Sequence, residues 1–260
     1  MKKISFLLRY IHYRLRATNQ HGIHSPFVFN LYNNVINQKG SYYAFERIEY
    51  LRKKLLILKR EIDVTDLGTG KSGKRSIAEI TSKAAKSKKY GELLVRLVNH
   101  FKPDTIVEMG TSLGISTSYL ASVSPTITVV TIEGCPHTAK EAGNNFKSLQ
   151  LKNIEQVVGD FKITLPAVLS QIKKDSRTLF FFDGNHQKEP TLNYFHQCLE
   201  IANENSIFIF DDIHWSKEME DAWEGIKKQP AVTITIDLFF LGLVFFRKEQ
   251  AKENFTLKMG

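Results

Sequence analysis

From Phe101 onward the chain alternates short apolar runs with longer amphipathic segments, and this alternation constrains the fold more than any single motif. Candidate strands are Thr105–Met109, Thr128–Ile132, Ile154–Val158, Thr178–Phe182, Ser206–Phe210, Val232–Ile236 and Leu243–Phe246. Between them lie candidate helices at Ser116–Ser122, His137–Leu149, Ile163–Lys173, Glu189–Asn203 and Lys217–Lys228. Strands alternating with helices join by right-handed crossovers, which set the strands parallel and cover both faces of the sheet with helices. Phe180-Phe181-Phe182 and Ile207-Phe208-Ile209-Phe210 are continuous apolar runs, as expected of strands buried on both faces. The end of the chain differs. Asp237 to Gly242 leaves no room for a helix between the last two strands, so an antiparallel hairpin is expected to close the sheet.

The first hundred residues follow another rule. Met1 to Ala17 places Ile4, Leu7, Leu8, Ile11 and Leu15 at helical spacing, with Lys2, Lys3, Arg9, Arg14 and Arg16 largely between them. That stripe is expected to pack on the core or on a second subunit in preference to a membrane surface. His21 to Pro26 reads as a turn, and Pro26 suits the start of a helix over Phe27–Ile36. Glu46 to Glu61 suits a long charged helix. The expected organisation is a helical extension over 1–90, an α/β domain over 91–250 and a tail over 251–260.

No apolar run reaches the ~18 residues of a membrane span, and the start of the sequence lacks a signal-peptide pattern. Cys135 and Cys198 have neither metal-ligand spacing nor the density of a disulfide scaffold. A cytoplasmic location is therefore expected. The net charge of +9 invites a nucleic-acid reading. Its basic residues, however, gather in the flanks, in 1–16 and 52–89, and not along 105–246. A small-molecule partner is the better expectation.

Thr105 to Gly114 reads as a buried strand entering a glycine turn that opens a helix, the arrangement that brings backbone amides to a nucleotide-like ligand. Glu133 then ends the second strand, where such folds place the acid that grips ribose hydroxyls. A dinucleotide fingerprint needs G-x-G-x-x-G, and here Ser112 replaces the middle glycine between Gly110 and Gly114. That residue is the one that lets backbone reach a pyrophosphate. Glu108 adds negative charge beside the turn, which is wrong for a phosphate and suits a cationic ligand carrying an ammonium group. S-adenosylmethionine has an adenosyl group, an ammonium and no phosphate.

Glu108-Met109-Gly110-Thr111-Ser112-Leu113-Gly114 resembles the first motif of class I S-adenosylmethionine-dependent methyltransferases, most closely the branch related to catechol O-methyltransferases. The resemblance covers roughly residues 90 to 247. It implies a Rossmann-like, doubly wound sheet of seven strands with the last antiparallel, and O-methylation of an acceptor. It also implies Glu133 on the ribose, Gly159 and Asp160 beside the adenine, and the methionine end over Gly110, Thr111 and Ser112.

Two further strand ends carry acids. Asp183 begins Asp183-Gly184-Asn185-His186, and Asp211-Asp212-Ile213-His214 follows the next strand. Carboxylates converging on one cleft repel unless they share a cation or a proton. Oxygen ligands suit Mg²⁺, and an added imidazole moves the preference toward Mn²⁺, Fe²⁺ or Zn²⁺. The resemblance implies a divalent metal on Asp183, Asp211 and Asp212, the last standing where the branch usually has Asn. The branch's frequent lysine near the fourth strand is absent. With Asp183, either His186 or His214 is the candidate catalytic group, the imidazole serving as general base.

A rival motif is Gly68 to Lys74, which has the G-x-x-x-x-G-K spacing of a phosphate-binding loop in an NTPase. Arg75 stands where that loop needs Ser or Thr, and Ile62 to Thr65 reads as a poor strand, so a basic flexible loop is expected. A non-catalytic nucleotide-binding protein is the other alternative.

Overall fold

The computed structural model describes residues 2–38, 43–68, 70, 72–84 and 87–259. Tyr42, Lys71 and Lys86, part of the segments named above, lie outside them. The elements in chain order begin with α1 (Lys2–Arg16), α2 (Pro26–Leu31), α3 (Tyr43–Leu56), β1 (Glu61–Val64), β2 (Gly73–Ser76), α4 (Ile77–Ala84) and α5 (Lys88–Phe101). Next come β3 (Thr105–Met109), α6 (Ile115–Ala121), β4 (Thr128–Glu133), α7 (Pro136–Leu149), β5 (Ile154–Val158) and α8 (Phe161–Leu169). The last are β6 (Thr178–Phe182), α9 (Lys188–Leu199), β7 (Ile207–Asp211), α10 (Lys217–Lys228), β8 (Ile234–Asp237), β9 (Leu241–Phe245) and β10 (Glu253–Thr256). The chain divides into two compact units, Lys39–Ser176 and a discontinuous one made of Met1–Gln38 and Arg177–Gly260.

In the unit Lys39–Ser176, β4 pairs in parallel with β3 on one side and β5 on the other. Residues 106 to 109 and 129 to 132 are buried, so these strands are covered on both faces, as their apolar runs require. Helix α7 starts at Pro136, whose fixed φ suits the first helical position. Phe45, Ile48, Leu51 and Leu55 of α3 pack with Ile115 and Tyr119 of α6 in one apolar cluster.

This unit corrects one expectation. Glu61-Ile62-Asp63-Val64 is a strand after all, in an antiparallel ribbon with Gly73–Ser76. Its charged residues do not interrupt it: they alternate with Ile62 and Val64, which pack against the apolar cluster while Glu61 and Asp63 are exposed. Lys74 is therefore a ribbon residue opposite Asp63, not a lysine at a loop–helix junction. The phosphate-loop reading fails on that geometry.

In the discontinuous unit the strands run in the order β10-β8-β9-β7-β6. β6 and β7 are parallel, and β9 inserts antiparallel between β7 and β8. Phe180, Phe181 and Phe208 are fully buried and Phe182 stacks on Phe210 with centroids 4.2 Å apart. The seven expected strands are thus β3 to β9, with β9 the antiparallel one. The stretch read as a tail adds β10, parallel to β8.

Helix α1 also departs from expectation. Its aliphatic stripe does not enter the core; Leu7 and Leu8 are exposed and Leu15 is 81% exposed. The packed face is aromatic. Phe6, Tyr10 and Tyr13 surround Phe239, with centroids 5.3, 4.9 and 5.2 Å from it. Tyr13 donates its hydroxyl to the Leu257 carbonyl. The helix expected over Phe27–Ile36 is α2, capped by Ser25 Oγ, followed by a π turn over Tyr32–Ile36.

Candidate functional site

The glycine turn is built by β3, β4 and α6. The amides of Gly110 and Thr111 both donate to the carbonyl of Ile132, at 2.9 and 3.3 Å. Gly114 N donates to Thr111 O at 2.8 Å and closes the turn. Gly114 sits at φ +79, and a Cβ built there would meet the Phe146 ring at 2.4 and 2.6 Å. Ser112, in the place of the middle glycine, also has positive φ, +48. The left-handed backbone of that position is retained without the glycine, at a cost of roughly 1–2 kcal/mol.

Glu133 fixes this turn from the neighbouring strand. Its Oε2 accepts from Ser112 N at 2.8 Å and its Oε1 from Cys135 N at 2.9 Å. Burial pushes its pKa up despite the opposing backbone N–H groups of Cys135, Ser112 and Gly134, and Asp66 adds to the rise. A carboxylate oxygen has two lone pairs, so these two bonds still leave each oxygen able to accept from a ligand hydroxyl.

Glu108 is fully buried. Its Oε2 accepts from Thr131 Oγ1 at 2.6 Å and from Thr117 Oγ1. Thr131 Oγ1 in turn lies 2.6 Å from Thr111 Oγ1. Burying a carboxylate costs several kcal/mol, and hydrogen bonds to a charged group return about 1.5–3 kcal/mol each. Glu108 thereby links β3, β4 and α6 through hydroxyl groups. Asp160 caps α8, its side chain accepting from Lys162 N at 2.9 Å, and Gly159 N donates to Glu133 O at 2.9 Å.

Sequence reasoning missed a neighbour of this turn, the β1–β2 ribbon. Thr65 N donates to Cys135 Sγ at 3.3 Å, and Leu67 closes on Gly134, where a Cβ would meet its Cδ1 at 2.9 Å. Asp66 and Leu67 therefore belong to the surroundings of Glu133. The alternation Glu-Ile-Asp-Val before a glycine-containing loop was the available signal.

The discontinuous unit holds the acidic cluster. Asp183 follows β6 and Asp211 ends β7, and parallel pairing of the two strands puts both acids at their C-terminal ends. Asn185, at φ +54, turns the chain so that His186 comes back beside Asp183. Asp183, His186 and Asp211 each offer a ligand atom, all within 4.8 Å of one another. Asp211 is buried and the other two half-buried. Two carboxylates and an imidazole at this spacing fit a divalent cation, and the imidazole favours Mn²⁺, Fe²⁺ or Zn²⁺ over Mg²⁺.

Among the described residues, Asp212 and His214 are not gathered into this group. Asp212 takes φ +53 and its N–H donates to Phe240 O at 2.7 Å. His214 has both ring nitrogens engaged: Nδ1 lies 3.1 Å from Glu220 Oε1 and Nε2 lies 2.8 Å from Asp237 Oδ2. Burial opposes its charge, but the hydrogen bonds and charges of Asp237 and Glu220 outweigh it and raise the pKa. His214 joins α10 to β8 and stacks on Phe239, with centroids 5.1 Å apart.

Comparison with known proteins agrees with this architecture. Residues 107–213 match the model of a family described as a methyltransferase domain. That span runs from β3 through the glycine turn, Glu133 and the acidic cluster to just beyond β7. This part of the chain is similar to a methyltransferase domain. Solved structures of similar fold include cofactor-bound Rv0187 from MTB, with 20% identity over 80% of this chain and 91% of that one and a TM-score of 0.58. The methyltransferase PaMTH1 of Podospora anserina, bound to S-adenosylhomocysteine, gives 15%, 87%, 97% and 0.61. An O-methyltransferase from Bacillus cereus in complex with S-adenosylhomocysteine gives 19%, 79%, 92% and 0.57. Likeness at these identities establishes a shared fold. Among curated proteins, none matches the chain significantly.

Proposed function

We propose that this protein is an S-adenosylmethionine-dependent O-methyltransferase acting on a small hydroxyl-bearing acceptor in the cytoplasm. The observation that carries the reading is Glu133, a half-buried carboxylate already oriented by two backbone amides beside the glycine turn. In this role its free lone pairs receive the ribose hydroxyls. Gly110, Thr111, Ser112 and Gly114 carry the methionyl end, with Glu108 holding the turn in shape. Gly159 and Asp160 flank the adenine. Solved structures of the same fold are cofactor- or S-adenosylhomocysteine-bound, which supports the choice of cofactor.

In the proposed reaction the acceptor hydroxyl loses its proton to water, its oxygen forms the new bond to the methyl carbon, and the S–CH₃ bond breaks. The sulfur keeps that electron pair and S-adenosylhomocysteine leaves. Asp183, His186 and Asp211 would hold a divalent cation, which when bound lowers the pKa of a coordinated hydroxyl. His186 replaces Asp212 in the ligand set expected from the sequence. His214 is assigned to holding its loop, because its two nitrogens already face carboxylates. Positioning of the acceptor in line supplies much of the remaining rate.

Calorimetric titration with S-adenosylhomocysteine tests the reading, with saturable binding expected. Glu133→Ala should weaken it about tenfold or more, the loss of a charge-assisted ribose contact. An absence of heat at millimolar ligand would overturn the function, and an unchanged Glu133→Ala titration would overturn the ribose assignment.

A further inference from the structure

Among the described residues, helix α1 packs by one of its two faces. Phe6, Tyr10 and Tyr13 bind it to Phe239, and Arg9 pairs with Glu220 at 3.3 Å. The opposite side carries Ile4, Leu7, Leu8, Ile11 and Leu15, whose exposures run from 46% at Ile11 to 81% at Leu15. On a helix of 3.6 residues per turn these five fall within an arc of about 100°. Arg14 borders this arc on one side, and His12 and Arg16 lie toward the other, all three exposed. The segment Lys2–Arg16 contains no Asp or Glu.

We propose that α1 seats the protein on a bilayer surface rich in anionic headgroups, with its aliphatic arc among the upper acyl chains. An apolar arc between cationic shoulders is the pattern of a helix lying in the plane of an interface. The basic shoulders attract an anionic leaflet, each cation near the surface adding to the affinity. Charge also decides against a second copy. Two α1 arcs placed face to face would bring Arg14 and Arg16 of both chains together with no carboxylate in either helix to offset them. The aromatic contacts with Phe239 keep α1 folded on its own unit, so the arc is displayed without any rearrangement. No helix among the described residues is long and apolar enough to cross a membrane, and the proposed attachment is peripheral.

Cosedimentation of the full chain with phosphatidylcholine vesicles, and with equimolar phosphatidylcholine–phosphatidylglycerol vesicles, tests this. Binding is expected only to the second, and weaker at high salt. Leu8→Ser/Leu15→Ser and, separately, Arg14→Glu/Arg16→Glu should each lower vesicle affinity about tenfold or more. All four side chains are exposed, so the circular dichroism spectrum and S-adenosylhomocysteine titration of both variants should match the wild type. That titration also separates this proposal from the proposed function, since either can fail alone. Wild-type protein that stays in the supernatant with both vesicles would overturn the proposal. So would Leu8→Ser/Leu15→Ser variants that pellet as well as wild type. Concentration-dependent self-association abolished by those substitutions, without vesicle binding, would assign the arc to a second copy.

Discussion

Gly114→Ala should be the most damaging single methyl group that can be added to the glycine turn. Two effects add. Alanine at φ +79 costs roughly 1–2 kcal/mol because its Cβ crowds the backbone. The new Cβ would also lie 2.4 and 2.6 Å from two carbons of the Phe146 ring, against about 3.5–4.0 Å for a relaxed carbon contact. The ring must retreat by about 1 Å, and Phe146 is buried in α7 with Ala142 beside it. Overpacking of this kind costs roughly 1–3 kcal/mol. The total is about 2–5 kcal/mol, read as a lower urea midpoint at unchanged slope. Gly114 also donates to Thr111 O and accepts from Ser118 N and Oγ, so affinity for S-adenosylhomocysteine should fall with stability. Pairing the change with Phe146→Leu removes the clashing ring edge and should restore only the packing part, a coupling of about 1–3 kcal/mol. Strict additivity of the two substitutions, or a Gly114→Ala protein within about 0.5 kcal/mol of wild type, would refute the reasoning.

The acidic cluster separates two ligand sets. Asp183→Asn and His186→Ala should each cut Mn²⁺ affinity about tenfold or more by calorimetry, whereas Asp212→Asn should leave it unchanged; the reverse pattern would restore Asp212 as a ligand. His214 makes a pH prediction. Its pKa is raised in the folded protein by Asp237 and Glu220, so its stabilising charge is fully present below the unfolded value of about 6.5. That contribution is lost as pH rises through the folded value. Melting temperature should therefore fall more steeply as pH rises above about 6.5 in wild type than in His214→Gln; equal slopes would remove the histidine from that role.

Some of this was readable from residues alone, and the reasons are local. The place of Glu133 was readable because it ends an apolar run at a fixed distance from a glycine turn, and strand period and turn chemistry decide where it stands. The placements of Asp212 and His186 were not readable. Asp211 and Asp212 are adjacent in sequence, but the second leaves the strand at φ +53 and bonds toward Phe240, while Asn185 at φ +54 folds His186 back. Positive φ at non-glycine residues leaves no mark on composition. The β1–β2 ribbon was misread for the opposite reason. Its period of two was present, but charge on the exposed face hid it. In α1 the aliphatic stripe looked like the buried face, yet the aromatic residues between were the ones with partners at Phe239 and Leu257.

The discontinuity of the second unit has a consequence for how the molecule comes into being on the ribosome. Strands β3, β4 and β5 and the turn that Glu133 fixes lie within one continuous stretch, so their partners emerge close together. Helix α1 emerges before all of them, but Phe239 and Leu257, which hold its aromatic face, are translated long after it, Leu257 lying 244 residues beyond Tyr13. Until then the aromatic face of α1 lacks its partners. The nascent chain therefore offers an amphipathic basic helix to whatever lies outside the exit tunnel long before the acidic cluster has been made. A membrane encountered then would be met by the same helix, at a time when the fold is still incomplete.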